Sequence, residues 1–332
     1  MGLFSELLSR AYRFDYYCGD YYYHDNDSRA LVFFVYDRLV AMEYDGDGLI
    51  KPAVSWGTQD IENRIGVRGG RFTRVNTVFS LAVGVLLAIG FYASLIPIDD
   101  SAFAAMFTRR GFTPYVIVGL TGWCLAIIFL KHRKLKLQKR TLALQIVPAS
   151  SDFVLSVNTV GQVFDNMLAM VDEPKRFVLF NRIQIALSNL KNLGNVSDID
   201  EILRSQSETD ESTMETSYSL LRGFVWAIPI LGFIGTVMGL STAIGGFGEV
   251  LGNKSDVGEI TASLKVVTGG LATAFETTLL ALVCALCIQL AVTFLRKGEE
   301  EFLDECAEYC QRNIVANLRI MPFDTNENAN ES

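Results

Sequence analysis

Four long apolar blocks constrain the fold of this 332-residue chain more than any other feature. They are Val75–Ile96, Pro114–Leu130, Leu221–Phe247 and Val266–Leu295. The only charged residues inside them are Arg222, near one edge of the third block, and Glu276 in the fourth. A helix needs about 20 mostly apolar residues to cross about 30 Å of hydrocarbon. The chain is therefore predicted to be an all-α integral membrane protein with four transmembrane helices.

The polar stretches divide the chain into further regions. We expect a small N-terminal cytoplasmic region and long cytoplasmic helical extensions, because apolar residues recur at three- and four-residue spacing outside the apolar blocks, with a break near Pro174. The predicted regions are the N-terminal region 1–74, transmembrane helices 1 and 2 in 75–130, a helical segment in 131–220, transmembrane helices 3 and 4 in 221–297, and a helix with a disordered tail in 298–332.

Lys and Arg residues near the ends of the blocks predict the orientation. Four arginines precede the first block, a basic run (131–140) follows the second, and Arg296 and Lys297 follow the fourth. With four spans all three groups lie on one side, which the positive-inside rule assigns to the cytoplasm. Arg109 and Arg110 lie on the other side and contradict this trend. We expect a multi-pass protein of the bacterial inner membrane with both termini in the cytoplasm.

Composition argues against several other classes of protein. The chain has two histidines, no glycine loop of the phosphate-binding type and no convincing nucleophile–base pair, so we do not expect an enzyme or a cofactor. The net charge of −8 gives no sign of nucleic acid binding. Cys306 and Cys310 are spaced i, i+4 but lack further ligands for a tetrahedral metal site, so no metal is expected.

Small residues mark one side of the third block. Gly232, Gly235 and Gly239 recur at three- and four-residue spacing, which allows two membrane helices to approach closely. Pro229 removes a backbone donor inside the same block and allows a hinge. We therefore expect Pro229 and these glycines to serve helix packing.

Glu276 is the unusual residue of the fourth block. A charged side chain at the bilayer centre costs at least about 2.5–3.5 kcal/mol, so such residues usually face the interior of a bundle. Ion conduction and a hydrogen bond between helices both remain possible roles. Glu276 and Thr278 point about 160° apart on a helix, so they do not both face one narrow pore. For each threonine considered alone, a hydrogen bond to the carbonyl four residues earlier is the ordinary expectation.

Two motifs carry a family resemblance. "PILGFIGTVMG" (229–239) and "GGLATAFETTLLAL" (269–282) resemble the paired signature of the MotA/TolQ/ExbB proton channel family. In that family several copies, typically five, surround the single transmembrane helices of a MotB/ExbD-like partner, whose membrane aspartate carries the proton. The resemblance implies a homo-oligomer, with five copies expected, in contact with such a partner and with the lipid bilayer.

The resemblance also implies roles for particular residues. Thr236 and Thr278 match the threonines that line the pore in the family, and Pro229 matches the family's proline. Thr273 occupies the position of the membrane glutamate of ExbB, and Glu276 lies one turn later on the same face. The ion-pathway candidates are therefore Thr236, Thr278, Glu276 and Thr273, with the pore-facing direction of Glu276 left open.

Together these features predict a proton-channel, or stator, subunit that couples ion flow down the proton motive force to motion of its partner. A non-conducting membrane scaffold and a stand-alone secondary transporter are the alternatives. The sequence is equally compatible with outer-membrane energisation, motility, envelope maintenance and defence. It is also equally compatible with H⁺ and Na⁺, and it assigns no role to residues 1–74.

Overall fold

The computed structural model describes residues 54–67, 69–147, 155, 159–193, 196–252 and 257–318. Within these ranges the chain is helical, with two isolated parallel bridges, Val54–Val171 and Leu155–Leu318, and no sheet. Most of the predicted N-terminal region 1–74 and of the predicted tail lies outside the described residues.

Ten α-helices occur in the described residues. They are α1 (Trp56–Gln59), α2 (Ile61–Arg64), α3 (Thr77–Leu95), α4 (Ala102–Thr108), α5 (Thr113–Lys139), α6 (Val160–Met170), α7 (Val178–Leu193), α8 (Val196–Ser217), α9 (Ser219–Gly252) and α10 (Val257–Asn313). The four apolar blocks fall on α3, α5, α9 and α10, which are long and apolar enough to cross a membrane. The prediction of an all-α multi-pass membrane protein is confirmed at this level.

Helices α3 and α5 form an antiparallel hairpin. Asn76 begins α3 by accepting hydrogen bonds from the backbone of Val78 (3.0 Å) and Phe79 (3.2 Å). A β-carbon added to Gly84 of α3 would lie 2.5 Å from the Cα of Trp123 on α5, so the two backbones touch. This close contact brings the end of α3 level with the start of α5.

Helices α9 and α10 form a second antiparallel pair, which is held together by the predicted small residues. A β-carbon on Gly232 would lie 2.5 Å from the Cβ of Ala281, and one on Gly239 would lie 2.7 Å from the backbone of Ala274. Helix α9 continues through Pro229 without interruption. The glycine face therefore lies at the contact between the two helices.

The two helix pairs meet along α5, which packs against both α9 and α10. At one end, Thr113 of α5 lies beside Gly235 of α9. We call this the loop end, because residues 96–112 connect α3 to α5 there. At the other end, which we call the stem end, the apolar stretches give way to α6–α8 and to the continuation of α10.

The stem is organised around a continuous buried core. Helices α6 and α7 are separated by a short 3₁₀ turn at Pro174–Arg176, so the predicted break near Pro174 is confirmed. Helix α10 continues without a break to Asn313. It contributes an apolar stripe whose buried members are Phe302, Cys306, Cys310 and Ile314.

Buried ion pairs lie where the spans enter the stem. Lys134 of α5 contacts Glu62 and lies 3.8 Å from Asp60, both in the segment that precedes α3. Arg182 of α7 pairs with Asp210 of α8 at 2.6 Å. Burial raises the pKa of Asp60, and the nearby Lys134 only partly opposes this effect. At least Lys134 of the basic run 131–140 therefore packs inside the protein and is not part of a solvated anchor.

Candidate functional site

The hydroxyl groups of Thr236 on α9 and Thr278 on α10 are in direct hydrogen-bond contact. The two helices run antiparallel here, and the glycines around Thr236 bring the backbones close enough for two short side chains to meet. Both threonines are partly exposed on the seam between α9 and α10. They form a small polar patch on an otherwise apolar helix pair.

Two backbone carbonyls complete this polar patch. The Thr236 hydroxyl lies 3.2 Å from the carbonyl oxygens of both Gly232 and Ala274. The Thr278 hydroxyl lies 3.1 Å from the same two oxygens. Each threonine thus contacts the carbonyl four residues before it, as ordinarily expected, and also the matching carbonyl of the other helix. We call these two hydroxyls and two carbonyls the threonine cluster.

Thr273 and Thr277 take no part in the threonine cluster. The Thr273 hydroxyl donates to the Gly269 carbonyl at 2.9 Å, within its own helix. Thr277 is buried, donates to the Thr273 carbonyl at 2.9 Å and packs against Gly235. Because Thr278 is about 100° further around α10, it lies on the side of the seam away from α5.

Glu276 forms an ion pair with Arg110, which lies between α4 and α5. Arg110 Nε lies 2.7 Å from Glu276 Oε2, and Nη2 lies 2.9 Å from Oε1. Both side chains are partly buried, at 24% and 32% exposure. The structure therefore brings Thr236 and Thr278 together and directs the Glu276 carboxylate to a different partner.

The threonine cluster lies far from the stem end. Glu299, where α10 enters the stem, follows Thr278 by about 20 residues, or about 30 Å of helix. This length matches one hydrocarbon layer. Helix α3 has 19 residues and covers a similar span. With α3 crossing the membrane, the threonine cluster and the Arg110–Glu276 pair lie toward the loop-end boundary.

Sequence reasoning did not foresee the partner of Glu276. The signal was present, because Arg110 contradicts the charge trend and Glu276 is a lone carboxylate in an apolar block. One exception lies in the loop before the second block and the other in the fourth block, and their opposite charges are complementary. Thr113 and Thr277, which lie on either side of Gly235, were also not assigned as contacts between α5, α9 and α10.

Four helices able to cross a membrane, with a polar patch on the seam of a glycine-packed pair, define an all-α multi-pass membrane protein. Residues 171–308 match the MotA/TolQ/ExbB proton channel family, which confirms the resemblance seen in the sequence motifs. The matched range covers α7–α9 and most of α10, including the whole threonine cluster. The family implies a proton-channel type of function within complexes. No curated protein and no solved structure gave a significant match.

Proposed function

We propose that this chain is an ion-conducting subunit of a membrane stator, which couples ion flow to the motion of a partner protein. The threonine cluster is the observation that carries the proposal. Its four oxygen atoms lie on the seam of α9 and α10, and oxygen ligands suit both a hydrated proton and Na⁺. In this proposal ions move past Thr236 and Thr278.

The surface around the threonine cluster supports assembly into a ring. Large apolar side chains are exposed along the same side of α9 and α10, among them Phe233, Val237, Phe275 and Leu282. Beyond the threonine cluster both helices extend past the loop end of α3, and Ile244 and Leu264 are exposed there as well. An apolar surface longer than the span of α3 favours contacts with further protein copies over contact with lipid alone.

The ion pair of Glu276 supports the view that a separate partner protein supplies the acidic residue that carries the ion. Glu276 is the only carboxylate in the apolar stretches of α9 and α10, and Arg110 holds both of its oxygen atoms. Both oxygen atoms of this carboxylate are therefore already engaged by one side chain. We propose that the carrier is the membrane aspartate of a single-span MotB/ExbD-like protein inside a homo-oligomeric ring.

The proposed orientation places the loop end outside the cytoplasm and the stem inside it. Arg296 and Lys297 and the basic run 131–140 lie at the stem end, as the positive-inside rule requires for the cytoplasm of a bacterial inner membrane. Arg110, the exception on the opposite side, is held in an ion pair with Glu276. Protonation of the partner's aspartate would neutralise its charge and let the partner helices turn.

The test is to substitute the two threonines together with valine, which has nearly the same shape but no hydroxyl. The chain is co-expressed with its single-span partner and reconstituted into vesicles, and H⁺ and Na⁺ entry are recorded with separate dyes. Thr236→Val/Thr278→Val should lower flux at least about tenfold, because each permeating ion loses its polar contacts. Native mass spectrometry should still show the complete ring.

Thr242→Val and Thr293→Val are the matched controls. Both residues are exposed, and each hydroxyl donates only to its own helix, at 3.0 Å and 2.8 Å. They should keep full flux. Undiminished flux in the double variant would remove the threonine cluster from the path. Flux from the chain without a partner would indicate a stand-alone transporter, and an intact ring without any flux would indicate a scaffold.

A further inference from the structure

We propose that Arg110 is a positioning residue, which sets the rotation of α10 through Glu276 so that Thr278 meets Thr236. The contact is a fork-to-fork pair, with the Nε and Nη2 atoms of Arg110 on separate carboxylate oxygens at 2.7 and 2.9 Å. A two-point contact fixes orientation as well as distance, which a single-point contact does not.

The anchor of this contact is itself held firmly. Arg110 follows α4, which packs against α10, and precedes Gly111, whose φ of +80° turns the chain into α5. Thr113, three residues later, is buried beside Gly235 of α9. The guanidinium is therefore tied to the same helix that carries Thr236.

The closest contacts between α9 and α10 are made by small residues. Gly232 meets Ala281, Gly239 meets Ala274 and Gly235 meets Thr277, so these contacts lack the large interlocking side chains that fix most helix pairs. Glu276 and Thr278 point about 160° apart, so Arg110 and Thr236 hold α10 from nearly opposite sides. Two polar contacts in this arrangement define the rotation of α10.

The positioning role also explains why Arg110 lies at the loop end, where the positive-inside rule disfavours a positive charge. Arg109, the neighbouring arginine, lies 3.4 Å from Asp99, and both of these side chains are 59% exposed. Arg110 instead points inward to a partly buried carboxylate. The two adjacent arginines thus provide a test residue and a matched control within one loop.

The experiment measures the rotation of α10 directly by disulfide cross-linking. Thr236→Cys and Thr278→Cys are combined in the full chain with its six native cysteines replaced, and the rate of oxidation is followed in native membranes. Arg110→Gln and Glu276→Gln should each slow cross-linking about tenfold, because a charge-assisted bidentate contact is lost. Arg109→Gln should leave the rate unchanged.

Two further variants separate positioning from a simple effect on folding. Arg110→Lys keeps the charge but not the fork, and it should give an intermediate rate. Arg110→Gln/Glu276→Gln should recover much of the rate, because the two amides can pair with no stranded charge. Unchanged cross-linking in Arg110→Gln would overturn the proposal, as would wild-type behaviour of Arg110→Lys.

The consequence for ion flux rests on the proposed function. In a chain with its native threonines, Arg110→Gln should reduce flux, and the double Gln variant should restore it in step with cross-linking. If the chain does not conduct ions at all, the cross-linking rate still reports on the rotation of α10. Failure of the proposed function and failure of the positioning role are therefore distinguishable.

Discussion

Lys131 Nζ lies 3.0 Å from Glu299 Oε1, and the two side chains are only 1% and 2% exposed. The ammonium group also lies 4.2 Å from the centre of the Tyr218 ring, at the junction between α8 and α9. One ion pair thus joins α5, α10 and the start of α9 where the apolar stretches meet the stem. Because the pair is buried, replacing one of its residues and replacing both should have different effects on stability.

Replacing one residue of the Lys131–Glu299 pair should destabilise the fold more than the loss of the interaction itself, because the other residue stays charged and buried. Lys131→Met or Glu299→Leu alone strands one charge away from water, and each should lower the free energy of unfolding by about 3–5 kcal/mol. Lys131→Met/Glu299→Leu should be less destabilised than the two single changes together. The measurement is thermal unfolding in detergent. Lys136→Met, on an exposed site of the same helix, is the control and should have little effect.

Adding one methyl group at Gly239 should disturb the α9–α10 contact. Its β-carbon would lie 2.7 Å from the backbone nitrogen of Ala274 and from the carbonyl oxygen of Gly270, neither of which can rotate away. Gly239→Ala should therefore lower the unfolding temperature, because the helices must separate. In Gly245→Ala of the same helix, the new β-carbon meets nothing within 4 Å. Equal unfolding temperatures for the two variants would contradict the observed helix contact.

The stability of the stem should depend on pH through Asp60. Burial raises the pKa of Asp60, against the attraction of Lys134, and the neighbouring Glu62 raises it further, while Arg176 opposes it. The folded state thus binds this proton more tightly than the unfolded state does. The stabilising contribution is complete below the ordinary pKa of 3.8 and is lost as the pH rises through the raised value.

Asp60→Asn should remove this dependence, because the amide is neutral at every pH. At pH 7.5 the variant should unfold at a slightly higher temperature than the wild type, and the difference should shrink toward pH 4. Calorimetric unfolding at both pH values provides the measurement. A variant that is less stable than the wild type at pH 7.5 would show that attraction to Lys134 outweighs the burial of Asp60.

Asp172 should hold the segment before α3 to the stem. Its carboxylate accepts hydrogen bonds from the backbone of Trp56 at 2.7 Å and Gly57 at 2.9 Å, and from the Ser55 hydroxyl at 2.7 Å. Asp172→Ala should increase backbone hydrogen exchange around Trp56 by about tenfold or more, because hydrogen bonds to a charged group contribute about 1.5–3 kcal/mol. Asp172→Asn retains one acceptor oxygen and should give a smaller increase.

The features that could be predicted from the sequence are those set by local patterns. Four spans followed from the length of the apolar blocks, and the break before α7 followed from Pro174. The close approach of α9 and α10 followed from glycines at helical spacing. The family resemblance implied that Thr236 and Thr278 line a pore, but it did not predict the direct contact between their hydroxyl groups.

The features that could not be predicted depend on contacts between distant residues. Arg110 and Glu276 are separated by 166 residues, and Lys131 and Glu299 by 168. In the sequence, the run that contains Lys131 resembles any cytoplasmic anchor, because composition does not show which lysines face inward. Helix rotation decides that question, and the packing of several helices sets the rotation.

The unbroken course of α10 has a mechanical consequence. The roughly 35 residues between Thr278 and Asn313 form a single shaft about 50 Å long. Tilting this shaft by about 10° at the seam would move its far end by about 9 Å, given the rise of 1.5 Å per residue. The apolar stripe of α10 lies near that end, and the helix is continuous to Asn313, so the residues packed on the stripe would have to move with it. A tilt of α10 at the threonine cluster and a rearrangement of the stem are therefore geometrically linked.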